Sequence, residues 1–296
     1  MSINANAGFH RLKNHLAPFP DIFSQALMKQ FQQVIDYHPV IGIMGKTGTG
    51  KSSLINALFQ SSVSSVSDVG GGTRQAQRYT MSMNNHNMTF IDFPGIGESA
   101  EKDKEYHALY HALLPELDFI IWLLKADDRA WSTDERYYRR LIKEYGYPAN
   151  HILFVLNQAD KIEPCREWDL TTHTPSPQQS LNLREKSQLV FHTFSPTHPV
   201  IAVSSIEAYQ LPHLAEQLVM ALPIHVSSSI VRQLNQQYRT ENVNHTARDD
   251  FGMQISQSID HLIEILPLPS FVKTTLCTLK STLISNVKSL WDYFFN

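Results

Sequence analysis

A glycine-rich segment between an apolar strand pattern and a helical pattern restricts this chain more than any other feature. Residues 45–52, GKTGTGKS, match the phosphate-binding loop G-x-x-x-x-G-K-[ST]. The apolar run VIGIM precedes the loop and is typical of a buried strand. In such a loop, backbone N–H groups surround phosphate oxygens, and the dipole of the following helix adds to the attraction. We therefore expect Lys51 to contact the β- and γ-phosphates of a nucleotide and Ser52 to bind Mg²⁺.

Strand and helix patterns alternate from residue 38 to residue 222, which predicts an α/β fold with a mostly parallel sheet. After the first strand, the predicted strands are Gln77–Met83, Met88–Phe93, Leu117–Leu124, Ile152–Leu156 and Val200–Val203. The predicted helices lie near residues 50–60, 101–114, 132–145, 181–193 and 210–222. Residues 164–179, rich in Pro, Ser and Thr, are expected to form a loop insertion.

Helical sequence flanks this α/β part on both sides. We expect an N-terminal helical segment over residues 1–37, the α/β domain over residues 38–222 and a helical appendage over residues 223–296. Within the first part, residues 21–37 carry apolar side chains at helical spacing, with Asp21 as the expected N-cap.

The end of the appendage is predicted to be an amphipathic last helix. One face is apolar, and the other carries three lysines against one aspartate. Such a helix either lies on a membrane surface or packs against its own protein, and the sequence leaves both alternatives open for residues 270–296. The apolar stripe consists of Val272, Leu276, Leu279, Leu283, Val287, Leu290 and Phe294.

Composition excludes several other classes of protein. The net charge of −3 gives no electrostatic reason to expect nucleic-acid binding. The two cysteines, Cys165 and Cys277, are too few for a disulfide framework, so a reducing cytoplasm is the expected location. The opening residues, MSINANAGFHRLKNHL, lack the apolar core of a signal peptide. No apolar run reaches the roughly 18 residues of a membrane-spanning helix, which leaves attachment to a membrane surface as the alternative.

Two further segments are expected beside the phosphate loop, at the edge where open α/β sheets bind ligands. Asp92 ends the apolar strand MTFIDF and is placed to hold Mg²⁺ through water, while the N–H of Gly95 can contact a γ-phosphate. The segment GGGTR contributes Thr73, whose hydroxyl can complete the Mg²⁺ ligands. The expected metal site therefore consists of Ser52, Thr73 and Asp92.

A predicted base-binding segment, NQAD, follows the strand ILFVL and contains Asn157, Gln158 and Asp160. A carboxylate at this place can accept two hydrogen bonds from guanine, one from N1–H and one from the exocyclic amine. Adenine does not offer this pair of donors, so the lost pairing would discriminate strongly against it. Ser204 and Ser205 follow the strand PVIAV and are expected to support the base.

The segments GKTGTGKSS, GGGTR, DFPG, NQAD and VSS, in this order, resemble the Era/TrmE-like GTPases, the 50S ribosome-binding GTPase group. The stretches SDVGGGTR, LPELDFIIWLLKADDRAWSTDE and LNQADKIEPCREW look most similar to its bacterial YfjP-type members. The resemblance covers residues 38–222 and implies a Ras-like P-loop GTPase domain that binds GTP or GDP with Mg²⁺. The family motif N-K-x-D has lysine where this chain has the uncharged Gln158, so we expect guanine specificity with weaker affinity.

The expected site follows from these segments and this resemblance. The residues with expected roles in catalysis are Lys51, Thr73 and Gly95. The expected nucleotide-binding residues are Gly45, Lys46, Thr47, Gly48, Thr49, Gly50, Lys51, Ser52, Ser53, Asp92, Gly95, Asn157, Gln158, Asp160, Ser204 and Ser205.

Hydrolysis by the chain alone is expected to be slow. Ras-like switches orient the attacking water with a glutamine just after the D-x-x-G glycine, and Ile96 stands at that position here. Some relatives hold K⁺ with an asparagine of the phosphate loop, and the matching residue is Gly48. Charge on the transition state would then come from a group supplied in trans or from one of three residues, Lys46, Arg74 and Arg129.

Three functions remain in competition. The first is a GTP-hydrolysing switch activated by a partner or by self-association, including a homodimer through the nucleotide face. The second is a nucleotide-dependent scaffold on a membrane surface or in a self-assembly. The third is ribosome assembly, which the appendage disfavours because residues 223–296 contain six Lys or Arg and six Asp or Glu.

Overall fold

The computed structural model describes residues 3–60, 63–69, 76–83, 85–93 and 109–295. The strands in these ranges are β1 (Val40–Met44), β2 (Val63–Val69), β3 (Ala76–Met83), β4 (His86–Asp92), β5 (Phe119–Lys125), β6 (Ile152–Asn157) and β7 (Ile201–Ala202). They form one sheet in the order β2-β3-β4-β1-β5-β6-β7. From β4 to β7 all neighbours are parallel, whereas β3 is antiparallel to both β2 and β4. The predicted α/β fold with a mostly parallel sheet is confirmed.

The central strands are apolar along their length because helices cover both faces of the sheet. β5 has the sequence FIIWLLK and β6 has the sequence ILFVLN, and every residue of these strands except Lys125 is buried. Such continuous apolar runs are typical of buried parallel strands. β3, nearer the edge of the sheet, fully buries only Ala76 and Met81.

Two helical layers form the two halves of the core. The helices are α1 (Ile3–Leu16), α2 (Asp21–Ile35), α3 (Lys51–Leu58), α4 (Ser132–Lys143), α5 (Pro177–Phe194), α6 (Leu211–Ala221), α7 (Ser227–Gln233), α8 (Glu241–Ile265), α9 (Ser270–Lys288) and α10 (Trp291–Phe295). One face of the sheet packs against α4, α5 and a helical stretch over residues 109–113. The other face packs against α1–α3 and α6–α10.

The N-terminal and C-terminal helices pack against each other within the second layer. The rings of Phe31 and Phe251 lie 5.8 Å apart, and those of Phe9 and Phe294 lie 5.0 Å apart. Gly8 allows the second contact, because a Cβ at this position would lie 2.7 Å from the ring of Phe294. Both ends of the chain therefore share one core, while the domain boundaries predicted at residues 37 and 222 stay a prediction.

Two helix starts differ from the sequence-based expectation. Pro20, not Asp21, is the N-cap of α2, because its carbonyl already accepts hydrogen bonds from the backbone N–H groups of Phe23 and Ser24. α5 begins at Pro177, inside the predicted loop insertion, because Ser176 and Gln179 form a reciprocal capping box.

The C-terminal apolar stripe is divided between two helices rather than one. α9 ends at Lys288, and the following helix α10 is anchored by Trp291, whose Nε1 donates to Ser228 Oγ at 2.9 Å. Within the stripe, Leu279 is 41% exposed, and the fully buried members are Leu276, Leu283, Val287, Leu290 and Phe294. In the ranges that the structure describes, no helix is both long and apolar enough to cross a membrane.

Candidate nucleotide-binding site

The phosphate loop connects β1 to α3 at the edge of the sheet where β1, β4, β5 and β6 end. Gly45, Gly48 and Gly50 have φ angles of +137°, +82° and +88°, in the region that glycine adopts without steric cost. A Cβ on Gly45 would lie 2.3 Å from the carbonyl oxygen of Leu123, and one on Gly50 would lie 2.4 Å from Asn157 Nδ2. The loop conformation therefore requires glycine at the places where the motif has it.

Lys51 and Asp92 form an ion pair beside this loop. Lys51 Nζ lies 3.1 Å from the carbonyl oxygen of Gly45 and 3.5 Å from Asp92 Oδ1. Burial raises the pKa of Asp92 above its usual value, and the charge of Lys51 acts in the opposite direction. Asp92 Oδ1 is buried and accepts no hydrogen bond from any residue that the structure describes. This oxygen therefore remains available to a metal ion or to metal-bound water.

The remaining residues of the loop differ in exposure. Ser52 and Ser53 lie exposed in the first turn of α3, where the helix dipole favours anions. Thr47 is also exposed. Thr49 is buried instead, and its Oγ1 donates to the carbonyl oxygen of Lys46 at 3.0 Å. Thr49 therefore closes the loop, while Thr47, Ser52 and Ser53 are accessible to solvent.

Asn157 joins the phosphate loop to the loop after β7. Its side chain is buried at the end of β6, and its Nδ2 donates to the carbonyl oxygen of Thr49 at 2.9 Å. Its Oδ1 accepts hydrogen bonds from Ser205 N at 3.2 Å and from Ser205 Oγ at 2.9 Å. One amide at the end of β6 thus contacts two loops at the same edge of the sheet.

Gln158, which replaces the lysine of the family motif, also contacts the phosphate loop. It has a φ of +61°, and its Nε2 donates to the carbonyl oxygen of Gly48 at 2.7 Å. Its Oε1 accepts a hydrogen bond from Lys161 Nζ at 3.2 Å. The positive charge of Lys161 therefore lies next to the side-chain amide of Gln158. The sequence reasoning missed this charge.

The side chains of Asp160 and Ser204, both predicted to serve the base, are hydrogen-bonded to each other. Ser204 Oγ donates to Asp160 Oδ1 at 2.5 Å and accepts a hydrogen bond from the backbone N–H of Glu207 at 3.2 Å. Ser204 is buried, whereas Asp160 is partly exposed. A carboxylate can accept several hydrogen bonds, so Asp160 can accept more from a ligand.

Lys46 belongs to an acidic cluster that the sequence reasoning did not identify. Its Nζ lies 2.8 Å from Asp128 Oδ2, 2.7 Å from the carbonyl oxygen of Ala130 and 3.4 Å from Asp134 Oδ2. Asp134 is fully buried in the first turn of α4 and accepts a hydrogen bond from Trp122 Nε1 at 3.2 Å. The segments KADDR and STDE contained these acids, but their sequence did not show which cation they meet.

The pKa values of this cluster reflect the balance between burial and pairing. Burial alone would lower the pKa of Lys46, but the hydrogen bond to Asp128 and the charge of Asp134 raise it above its usual value. Burial raises the pKa of Asp134, against the opposing hydrogen bond from Trp122 and the charge of Lys46. Lys46 is therefore a charged lysine held between two acids.

Some expected residues fall outside the described part of the chain. These are Thr73, Arg74, Gly95 and Ile96. Arg129 lies exposed in the loop after β5, next to the residues that hold Lys46. The structure thus brings together the phosphate loop, Asp92, the NQAD segment and the serine pair, as expected.

This fold and this edge of the sheet define a P-loop GTPase. The family model described as 50S ribosome-binding GTPase matches residues 40–158. The protein YfjP of Escherichia coli K12 is 42% identical over 284 residues, which cover 96% of this chain and 97% of YfjP. YkfA from the same organism is 39% identical over 293 residues, which cover 99% of this chain and all of YkfA. The chain belongs to the YfjP-type GTPases of this family, and the predicted family and Ras-like fold are confirmed.

A solved structure with a similar fold is the GTPase Era of Aquifex aeolicus bound to GDP and aluminium fluoride. It is 24% identical, has a TM-score of 0.43, and the match covers 65% of each chain. A guanine nucleotide is the ligand of this GTPase family.

Proposed function

We propose that this chain binds GTP and GDP with Mg²⁺ at the described edge of the sheet and hydrolyses GTP slowly as a molecular switch. The observation that carries the proposal is the position of Asn157, whose amide joins the phosphate loop to the loop of Ser205. A nucleotide with its phosphates in the loop would have its base within reach of Asp160. Phosphate binding and base binding would thus be mechanically linked.

Guanine recognition is assigned to Asp160. The hydroxyl of Ser204 occupies one of its acceptor positions and orients the carboxylate, which is partly exposed. The remaining acceptor positions can receive guanine N1–H and the exocyclic amine. An adenine base would leave these acceptors unpaired, which is the physical origin of strong discrimination between the two bases.

Mg²⁺ is proposed as the cofactor because the available donors are hard oxygen atoms. The hydroxyl of Ser52 lies exposed at the start of α3, and Asp92 Oδ1 is buried beside Lys51 without a hydrogen-bond partner among the described residues. Thr73 would complete the site. When bound, the ion would neutralise charge that develops on the transferred phosphoryl group.

A low intrinsic rate of hydrolysis follows from the groups at the site. Lys46, an expected source of transition-state charge, is engaged by Asp128 and Asp134. Ile96 cannot orient water, and Gly48 cannot hold K⁺. The missing charge would come from Arg74, Arg129 or a group in trans. A second copy of this chain at the nucleotide face is one such source, so a homodimer through that face is part of the proposal.

A membrane-surface scaffold stays as an alternative function, with residues 270–296 as the contact. In favour of internal packing, α9 buries Leu276 and Leu283 in the core that it shares with α8. In favour of a membrane contact, Phe271 is exposed at the start of α9. Co-sedimentation of the full chain with anionic vesicles tests this alternative, with Phe271→Asp as the variant and Leu181→Asp, a change of an exposed apolar residue on α5, as the control.

Ribosome assembly stays as a second alternative, since the family model is described as 50S ribosome-binding GTPase. The appendage, with equal numbers of basic and acidic residues, offers no basic surface for RNA. We propose the cytoplasm as the location, where the free and exposed Cys165 and Cys277 would remain reduced. Ribosome co-sedimentation that stays dependent on GTP in moderate salt would support ribosome assembly.

Calorimetry with GDP and with ATP tests the proposed ligand. We expect GDP to bind and ATP to bind little, and Asp160→Ala to abolish the preference. Asp127→Asn, an exposed acid outside the base-binding segment, is the matched control and should bind GDP as the wild type does. Equal affinities of the wild type for ATP and GDP would contradict the assignment.

A further inference from the structure

A cavity lies at the opposite end of the strands from the phosphate loop. Its volume is about 500 Å³, and it is bounded by α1, the end of α2, the start of β4 and the helices α7 and α10. β4 begins at His86, which lines the cavity, and ends at Asp92 in the candidate nucleotide site. Whatever occupies this cavity therefore cannot touch a nucleotide in the phosphate loop.

Arg232 is a buried cation in the wall of this cavity. Only 4% of the residue is exposed, and both Nη1 and Nη2 donate to the carbonyl oxygen of Ile35 at 3.1 Å. The ring of Phe295 lies 4.5 Å from the guanidinium carbon. Arg232 Nε is buried and has no hydrogen-bond partner in the described part of the chain. Among the same residues, no carboxylate forms an ion pair with this guanidinium.

The contact with Ile35 does not account for this arrangement. A single donor from any side chain would satisfy the last carbonyl oxygens of α2, whereas Arg232 brings a full charge and a spare N–H into the core. Burial of a charge without an ion-pair partner is unfavourable, and burial lowers the pKa of Arg232 to about 9 against the opposing charge of Asp36. A site built in this way is completed by an anion.

The other charged groups of the cavity also favour a negatively charged ligand. Arg239 is a second lining guanidinium, and its Nη2 donates to the carbonyl oxygen of Arg232 at 2.6 Å. Asp36 is the one carboxylate among the lining residues, and its Oδ2 already accepts a hydrogen bond from Gln32. Burial and the charge of Arg232 lower the pKa of His86 to about 4, so this imidazole is neutral near pH 7. The cavity is therefore lined by two guanidinium groups, of Arg232 and Arg239, and by one carboxylate, of Asp36.

Four aromatic side chains form a further part of the wall, beside polar side chains such as Asn4, Gln32 and Asn85. Phe9, Tyr293 and Phe294 line the cavity together with Phe295. The volume lies within the range of roughly 300 to 1,000 Å³ that is typical of small-molecule sites. Inorganic phosphate alone would leave most of this volume and the aromatic surface without contacts.

We propose that this cavity binds a small organic anion, whose phosphate or carboxylate group pairs with Arg232 and Arg239 and whose apolar body packs against the aromatic wall. The planar guanidinium matches both kinds of acidic group through paired hydrogen bonds. The ligand would bridge α1, α7 and α10, and so join the two ends of the chain to the sheet. The proposal does not depend on nucleotide binding.

The test uses the full chain with Lys51→Ala, so that the phosphate loop does not compete for the probe. Phenyl phosphate is titrated while the ¹⁵Nε–H signals of the arginines are followed by NMR, and phenol is the uncharged control. We expect the Arg232 and Arg239 signals to shift until saturation, and the exposed Arg139 signal to remain in place. Phenol should cause no such shift.

The variant Arg239→Gln is expected to weaken binding of phenyl phosphate about tenfold, the effect of one charged hydrogen bond. Arg239 is partly exposed, so this variant avoids the loss of folding that a change of Arg232 risks. Arg139→Gln is the matched control and should bind as before. The proposal is overturned if neither signal saturates at millimolar probe, if phenol gives the same shifts, or if Arg239→Gln binds as tightly as the control.

Discussion

Lys46 Nζ lies 2.8 Å from Asp128 Oδ2, which ties the phosphate loop to the segment between β5 and α4. The two residues are 82 positions apart in the chain. Arg129 follows Asp128 directly and is exposed. The lysine thus joins the phosphate loop to the segment that carries Arg129.

Lys46→Met is expected to lower the free energy of unfolding by about 2 kcal/mol, because the buried Asp134 loses its neighbouring cation. The double variant Lys46→Met/Asp134→Asn should recover part of this loss. Asp128→Asn is the control and should cost less than about 1 kcal/mol, since its pair with Lys46 is closer to solvent. Urea denaturation of the wild type, Lys46→Met, Asp134→Asn and the double variant measures the coupling, and strictly additive effects would contradict it.

Asp250 should make the stability depend on pH. Burial raises its pKa from 3.8 to about 6, with a smaller opposing contribution from Ser227. Between these values the folded chain holds a proton that the unfolded chain has released, so the free energy of unfolding falls as the pH rises from 4 to 6. Two pKa units correspond to roughly 2–3 kcal/mol.

Asp250→Asn should remove this fall and be more stable than the wild type at pH 7, when both are compared by urea denaturation over the same pH range. The exposed change Asp127→Asn is the control and should keep the wild-type slope. A variant Asp250→Asn with the same slope as the wild type would show that another group titrates.

Lys51→Ala is expected to leave the melting temperature without nucleotide nearly unchanged, because the amine contacts loop carbonyls and Asp92 rather than the core. GDP at 100 times its Kd should stabilise the wild type by about 2.7 kcal/mol and the variant not at all. Lys143→Ala, an exposed lysine of α4, is the control and should keep the gain. A variant Lys51→Ala that GDP still stabilises would refute this role of Lys51.

β1 and β3 to β7 could be predicted from the sequence, and β2 could not. β5 and β6 are continuous apolar runs, and their predicted bounds agree with the observed ones to within two residues. β2, with the sequence VSSVSDV, contains neither such a run nor clear alternation, because it lies at the antiparallel edge of the sheet. To predict β2, one would have needed to know that it pairs with β3.

For the candidate site, contacts between motifs that follow parallel strands could be predicted, and contacts with residues outside those motifs could not. Asp160 and Ser204 both follow parallel strands, so their meeting could be expected from topology. The meeting of Lys46 and Asp134 depends on the way α4 starts beneath the loop after β5, which no local pattern encodes. The same holds for Arg232, whose partner Ile35 lies near the other end of the chain.

Gln158→Lys is expected to tighten GDP binding about tenfold, since a charged donor to the Gly48 carbonyl replaces a neutral one. The preference for GDP over ATP should not change, because Asp160 carries it. Lys161→Met should weaken binding in the wild type and have no effect in the Gln158→Lys variant, where the charge is supplied directly. Calorimetry measures the GDP affinity of each variant. Equal effects of Lys161→Met in the wild type and in Gln158→Lys would contradict this reasoning.

GTP hydrolysis should be slow in dilute protein and accelerate with protein concentration or on addition of a partner. Lys46 is engaged by Asp128, Ile96 cannot orient water and Gly48 cannot hold K⁺, so the missing charge would come from Arg74, Arg129 or a group in trans. An arginine supplied in trans is worth about 10³–10⁵ in kcat in related switches. Arg129→Ala should therefore abolish the concentration dependence if the second copy supplies Arg129, whereas the exposed change Arg139→Ala should not. Single-turnover measurements over a range of protein concentrations, in K⁺ and in Na⁺, test this. A fast rate that is independent of concentration would mean that a group of the same chain orients the water.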